Sequence, residues 1–155
     1  MKRYAWFEIL LVAVIMAISL YAALSDSQNL AWRWFTRDDA YYYFKVAQNI
    51  SEGHGSTFDG INPTNGYHPL WMLVCVPIFA LARFDIILPL RVLLLVMGGL
   101  SAATAILFFR LIGKVFTPAV GAIAALYWAF SYDVLVRIYQ QGLETGIAVF
   151  FVLLL

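Results

Sequence analysis

Residues 9–24 hold fifteen apolar side chains and one serine, Ser19, with no charge among them. Tyr4 to Phe7 precede this run and Glu8 can stay at the interface, so together they reach the roughly 20 residues that a helix needs to cross a bilayer core of about 30 Å. Lipid offers the backbone no water to bond to, so the chain must satisfy its own N–H and C=O groups as helix. A cleaved leader would have a shorter apolar region and a small-x-small site, yet Tyr21 occupies the place where a site ending at Ala23 needs its first small residue. The segment 5–24 therefore reads as an uncleaved anchor. Lys2 and Arg3 ahead of it place the N-terminus in the cytoplasm and the following loop outside.

The rest of the chain agrees with a bilayer solvent. Of 155 residues 63% are hydrophobic and 12% charged, which excludes an ordinary soluble globule and a disordered tail. Ten Lys plus Arg against nine Asp plus Glu leave no basic excess for nucleic acid. The single cysteine, Cys75, rules out a disulfide framework and a thiolate cluster within the chain. Further spans are expected at 86–109, with Arg91 near its start, and at 118–136, opened by Pro118 and offering Ala119, Gly121, Ala122, Ala124 and Ala125 for close packing. The final run, 146–155, has ten residues and cannot cross. The expected fold is thus an all-α, polytopic transmembrane bundle, read as the N-terminal part of a longer protein and inactive as this piece alone.

Residues 70–84 are too short to span comfortably and carry Pro77, so they read as a re-entrant or interfacial helix. That choice puts Arg110 and Lys114 in the cytoplasm and brings 133–144 to the same outer face as the long loop 25–69. The long loop carries five acids against three bases. Ala40, Phe44, Ala47 and Ile50 recur at helical spacing, predicting a short amphipathic helix on the membrane that Gly53 stops. Thr36 and Asp39 form a Thr-x-x-Asp capping pattern, which by itself accounts for one of the two adjacent carboxylates Asp38 and Asp39. The alternative use for such a carboxylate is general-base work. Downstream, Asn62-Pro63 and Asn65-Gly66 are turn signals, and Pro69 opens the next helix behind His68. A loop of this length is uncommon unless functional. His68 is either a hydrogen-bonded interface residue or a ligand.

Several of these segments, in this order, resemble a known family. The first helix, then Asp38-Asp39-Ala40-Tyr41, Ala47-Gln48-Asn49-Ile50-Ser51-Glu52-Gly53-His54-Gly55, Asn65-Gly66-Tyr67-His68-Pro69-Leu70-Trp71, and finally Gln140-Gln141-Gly142-Leu143-Glu144-Thr145-Gly146 are similar to the N-terminal part of GT-C glycosyltransferases, in particular mannosyl- and aminoarabinosyltransferases. The resemblance implies an inverting enzyme of the cell membrane. It would move a sugar from a polyprenyl-phosphate-linked donor to an extracytoplasmic acceptor, whether glycan, lipid or protein.

It further implies that an acid of the first outer loop is the catalytic base, here Asp39 with Asp38 as orienting partner, the choice between the two resting on a one-residue alignment. A divalent metal, magnesium or manganese, would take Asp39 and Glu144 as oxygen ligands. Arg91, Arg37 and His68 would face the lipid phosphate or substrate. Arg91 is the more telling of the arginines, since an ionisable residue inside a span is costly, although snorkelling at the interface explains it too. Trp32, Trp34 and Tyr41 to Tyr43 are expected at an interface whatever the substrate. The competing function is a transport or lipid-binding module, suggested by Arg91 and a Gly98-Gly99 break in its span. A third is a scaffold whose small-residue helices bind a partner.

Overall fold

The computed structural model describes residues 4–35, 38–82 and 85–155. Among them the chain is all-α, with no strand beyond an isolated antiparallel bridge between Thr57 and Pro63. The order is α1 (Ala5–Ala23), α2 (Ser27–Arg33), α3 (Asp38–Ser51), α4 (Pro69–Leu81), α5 (Leu88–Val115), α6 (Pro118–Phe130), α7 (Tyr132–Val134), a π turn (Leu135–Tyr139) and α8 (Thr145–Leu154). Two helices, α1 and α5, are long and apolar enough to cross a membrane, and α6 joined to α7 and the π turn makes a third if the bent pair is one span.

Helices α1 and α5 run antiparallel. At one end Arg110 gives two parallel hydrogen bonds to Glu8, Nε to Oε1 at 2.7 Å and an η nitrogen to Oε2 at 2.6 Å. Phe7 and Phe109 pack beside that pair, their rings tilted by 49° with centroids 4.8 Å apart. At the other end an Arg91 η nitrogen reaches the Ser25 carbonyl at 3.4 Å. Between the two ends, Gly98 lets Ser19 of α1 pack against the α5 backbone, where a Cβ would collide with the serine side chain. The Gly98-Gly99 pair does not break α5, which is one continuous helix of 28 residues; the absent side chain at 98 serves helix contact instead. Residues 26–87 consequently leave and return at the same end of the α1–α5 pair.

Helix α5 continues past Phe109, where its apolar run stops, to Val115. Arg110 and Lys114 occupy its last turns, where cations suit the negative helix end. Thr117 then caps α6 by accepting from Val120 N at 3.3 Å, and Pro118 takes the first helical position. The α5–α6 hairpin closes tightly because Gly121 faces Gly113 and the Phe109 carbonyl with no side chain between them. The apolar run to Val136 is not one helix. Ser131 adopts an extended backbone, ends α6, and caps α7 through its hydroxyl, turning the axis by 46°. A serine hydroxyl competes with the backbone for local hydrogen bonds, which is why one residue can do this inside an apolar stretch.

Candidate functional site

Helix α3 is held by the face expected from its spacing. Ala40, Tyr43, Phe44, Val46 and Ala47 are buried, largely against α4, and Phe44 meets Phe79 of α4 at 5.8 Å. Asp38 and Asp39 form its first turn and both are exposed, with Asp38 Oδ1 accepting from Asp39 N at 3.1 Å. Thr36 and Arg37 lie outside the described residues, as does the side chain of Trp32, so the capping pattern and the Arg37 assignment have no counterpart here. Just ahead, Phe35 sits in the left-handed region at φ 55 and is fully buried, packed edge-on against Phe44. A bulky residue there carries strain of order 1–3 kcal/mol that the surrounding packing must offset.

What packs on Phe35 is the second acidic segment. Gly142, at φ 70, presses its Cα against the Phe35 ring, and a Cβ there would also come within 3.3 Å of the Ala40 Cβ. Trp71 Nε1 of α4 donates to the Gly142 carbonyl at 3.1 Å across 71 residues of sequence. Leu143 and Trp71 line one small cleft with Met97 and Leu100, about three turns into α5. Glu144, next in line, is half-buried beside the Tyr43 hydroxyl, and its Oε2 is buried without a hydrogen-bond partner among the described residues. Tyr43 is four residues after Asp39, so the two lie about 6 Å apart along one side of α3. Burial pushes the Tyr43 hydroxyl up to about 12, with Glu144 adding in the same direction and the His68 N–H opposing.

His68 stands at the N-terminal boundary of α4 with its imidazole exposed. Its contribution is through the backbone, the N–H donating to Tyr43 Oη at 2.7 Å. Arg91 is half-buried at Ser25 with Nε unpartnered, and no hydrogen bond or ion pair among the described residues joins it to Asp39 or Glu144. The described residues likewise form no group of three or more His, Cys, Asp or Glu side chains able to share one ion. Asp38 and Asp39 thus open α3, the His68 backbone and Glu144 neighbour Tyr43 one turn later, and Arg91 stays apart at Ser25. Trp71 ties the Gly142 segment to α4. The sequence signal for Tyr43 was its spacing from Asp39, one helical turn, which the aromatic run of Tyr41 to Tyr43 obscures.

The connector between α3 and α4 is ordered by its own polar groups. Asn49, buried in α3, donates to the Thr57 and Phe58 carbonyls at 2.8 and 3.1 Å. Ser56 and Thr64 clasp the turn, and Thr64 and Tyr42 share a short hydroxyl contact. Asp59 Oδ1 accepts from Ile61 N at 2.8 Å and Asn62 N at 2.7 Å, and Oδ2 from the Asn62 side chain at 2.7 Å. These donors, Asn62 first, hold its carboxyl well below the usual range. A depressed carboxyl contributes order above its unfolded value, about 3.9, and loses it only as pH falls through the lower folded value. The Ile61 and Asn62 amides should thus stay protected from hydrogen exchange through about pH 4, and Asp59→Ala should speed their exchange about tenfold or more at neutral pH.

Compared with protein-family models, with curated proteins and with solved structures, the chain matches none.

Proposed function

We propose that this protein is a membrane glycosyltransferase that moves a sugar from a polyprenyl-phosphate-linked donor to an acceptor hydroxyl outside the cytoplasm. The observation that supports the proposal is the seating of Gly142 on Phe35 and Ala40, which brings the segment that carries Glu144 to the start of α3, where Asp38 and Asp39 stand. Two acid-bearing segments far apart in sequence thus converge on the exposed start of a helix.

In this function Asp39 takes the proton of the acceptor hydroxyl as its oxygen bonds to the sugar carbon, and the bond from that carbon to the lipid phosphate breaks. Asp38 orients Asp39 through its hydrogen bond to the backbone. The charge left on the phosphate calls for a cation. Arg91 is half-buried with an unpartnered Nε at the end of the α1–α5 pair where residues 26–87 lie, and would supply that charge. A magnesium or manganese ion would be held by Asp39 and Glu144 and would supply Lewis acidity there. The buried Glu144 Oε2 suits such an ion, whereas two carboxylates fall short of a full ligand set.

The direct test is transfer of labelled sugar from polyprenyl-phosphate donors in membranes carrying the protein. Transfer is expected from at least one such donor, and silence with all of them overturns the proposal. The topology it requires is tested separately. In a background with Cys75→Ala, cysteines placed at Lys114 and at His54, both exposed, should react with an impermeant maleimide from opposite sides. Reaction from one side would show that residues 26–87 and the end of α5 share a compartment.

A further inference from the structure

The end of the α1–α5 pair away from residues 26–87 carries charge that the transfer reaction does not use. A cleft of about 510 Å³ opens there between α1, α5 and the start of α6, its walls including Tyr4, Glu8, Phe109, Arg110, Lys114 and Pro118. A second, of about 430 Å³, shares Tyr4, Phe109 and Pro118 and adds Trp6, Phe7, Ala119 and Ala122. A charged hollow and an apolar one thus meet along a common wall, each within the roughly 300–1,000 Å³ usual for a small-ligand site. Arg110 gives two of its five N–H donors to Glu8, which leaves three. Lys114 stands exposed in the last turn of α5 and enters no ion pair among the described residues. Two cations against one carboxylate leave the walls with a net charge of +1.

We propose that these joined clefts hold an anionic phospholipid, its phosphate at Lys114 and the remaining Arg110 donors, and an acyl chain against Trp6, Phe7, Ala119 and Ala122. Three features select that occupant. Helices α1 and α5 are long and apolar enough to cross a membrane, and Lys114 and the exposed Trp6 stand near their ends, where headgroups lie. The net positive charge complements a phosphodiester, whereas a zwitterionic headgroup brings a cation of its own. The apolar hollow calls for a hydrocarbon chain, which inorganic phosphate lacks. A lipid held this way touches all three helices and adds to the Glu8–Arg110 bond in keeping α1 against the α5–α6 hairpin. The inference rests on the membrane placement of α1 and α5 and on nothing in the transfer reaction.

The test titrates phosphatidylglycerol into the detergent-solubilised protein and counts bound lipid by native mass spectrometry. Phosphatidylglycerol is expected to bind about tenfold tighter than phosphatidylcholine with the same chains, and equal affinity overturns the selection for charge. Lys114→Gln should weaken phosphatidylglycerol about fivefold, the weight of one lysine at an anionic surface. Lys45→Gln removes an equally exposed lysine from α3 and should leave the affinity unchanged. Equal losses in the two variants would mean diffuse attraction and overturn the site. Ala119→Trp fills the apolar hollow from an exposed position, so it should weaken the lipid several-fold without lowering the unfolding midpoint. Undiminished binding in that variant overturns the seat of the acyl chain. Excess inorganic phosphate should leave the lipid bound; displacement would reduce the clefts to a plain anion site. Failure to retain phosphatidylglycerol at all, as when a second copy of the chain or another helix covers the groove, overturns the proposal.

Discussion

Gly121→Ala is expected to destabilise the protein by about 2–3 kcal/mol. A Cβ at 121 would stand 2.5 Å from the Phe109 carbonyl oxygen and 2.8 Å from Gly113 Cα, which are backbone atoms of α5 and cannot rotate away. The two helices would have to separate, and the van der Waals contact that drives helix association in lipid would go with them. Gly99→Ala is the control. It sits in α5, the helix against which Gly121 packs, with nothing within 4 Å of the added carbon, so it should be neutral or stabilising by up to about 1 kcal/mol. Unfolding in mixed detergent micelles measures both. Equal effects would mean that the close approach at 121 does not hold α6 in place.

Asp39→Asn is expected to lower kcat of sugar transfer about 100-fold to 10,000-fold with little change in folding. The side chain is exposed, and its amide replacement keeps the shape, so the variant loses proton affinity and almost nothing else. Asp38→Asn should cost less, since an amide oxygen can still accept from Asp39 N. If Asp38 is instead the base, the order reverses. Unchanged transfer in both variants would remove α3 from the chemistry altogether. Melting of the two variants alongside the parent separates a lost base from a lost fold.

The all-helical class and the two long apolar helices could be read from the sequence because lipid leaves the backbone few options. The buried face of α3 was equally plain, since Ala40, Phe44 and Ala47 repeat at the period of the helix. Local competition was harder to see. Ser131 interrupts an apolar run that hydropathy alone carries through, and α2 rests on Asp26, whose carboxylate caps it by accepting from Asn29 N at 2.9 Å. Phe35 in the left-handed region has no signature in composition. The convergence of Gly142 and Glu144 on α3 depends on contacts across some hundred residues, which no periodicity encodes. The order of the acidic segments suggested that they serve one site, and what the structure adds is the contact of Gly142 with Phe35 and Ala40 and the Trp71 bond to the Gly142 carbonyl.

The two-pronged bond between Glu8 and Arg110 bears on how the protein is made. The partners are separated by 102 residues, so at about 5–20 residues per second the ribosome delivers the arginine roughly 5 to 20 s after the carboxylate. If α1 crosses the membrane, Glu8 has no partner during that interval, and its pairing with Arg110 waits until the end of α5 has been made.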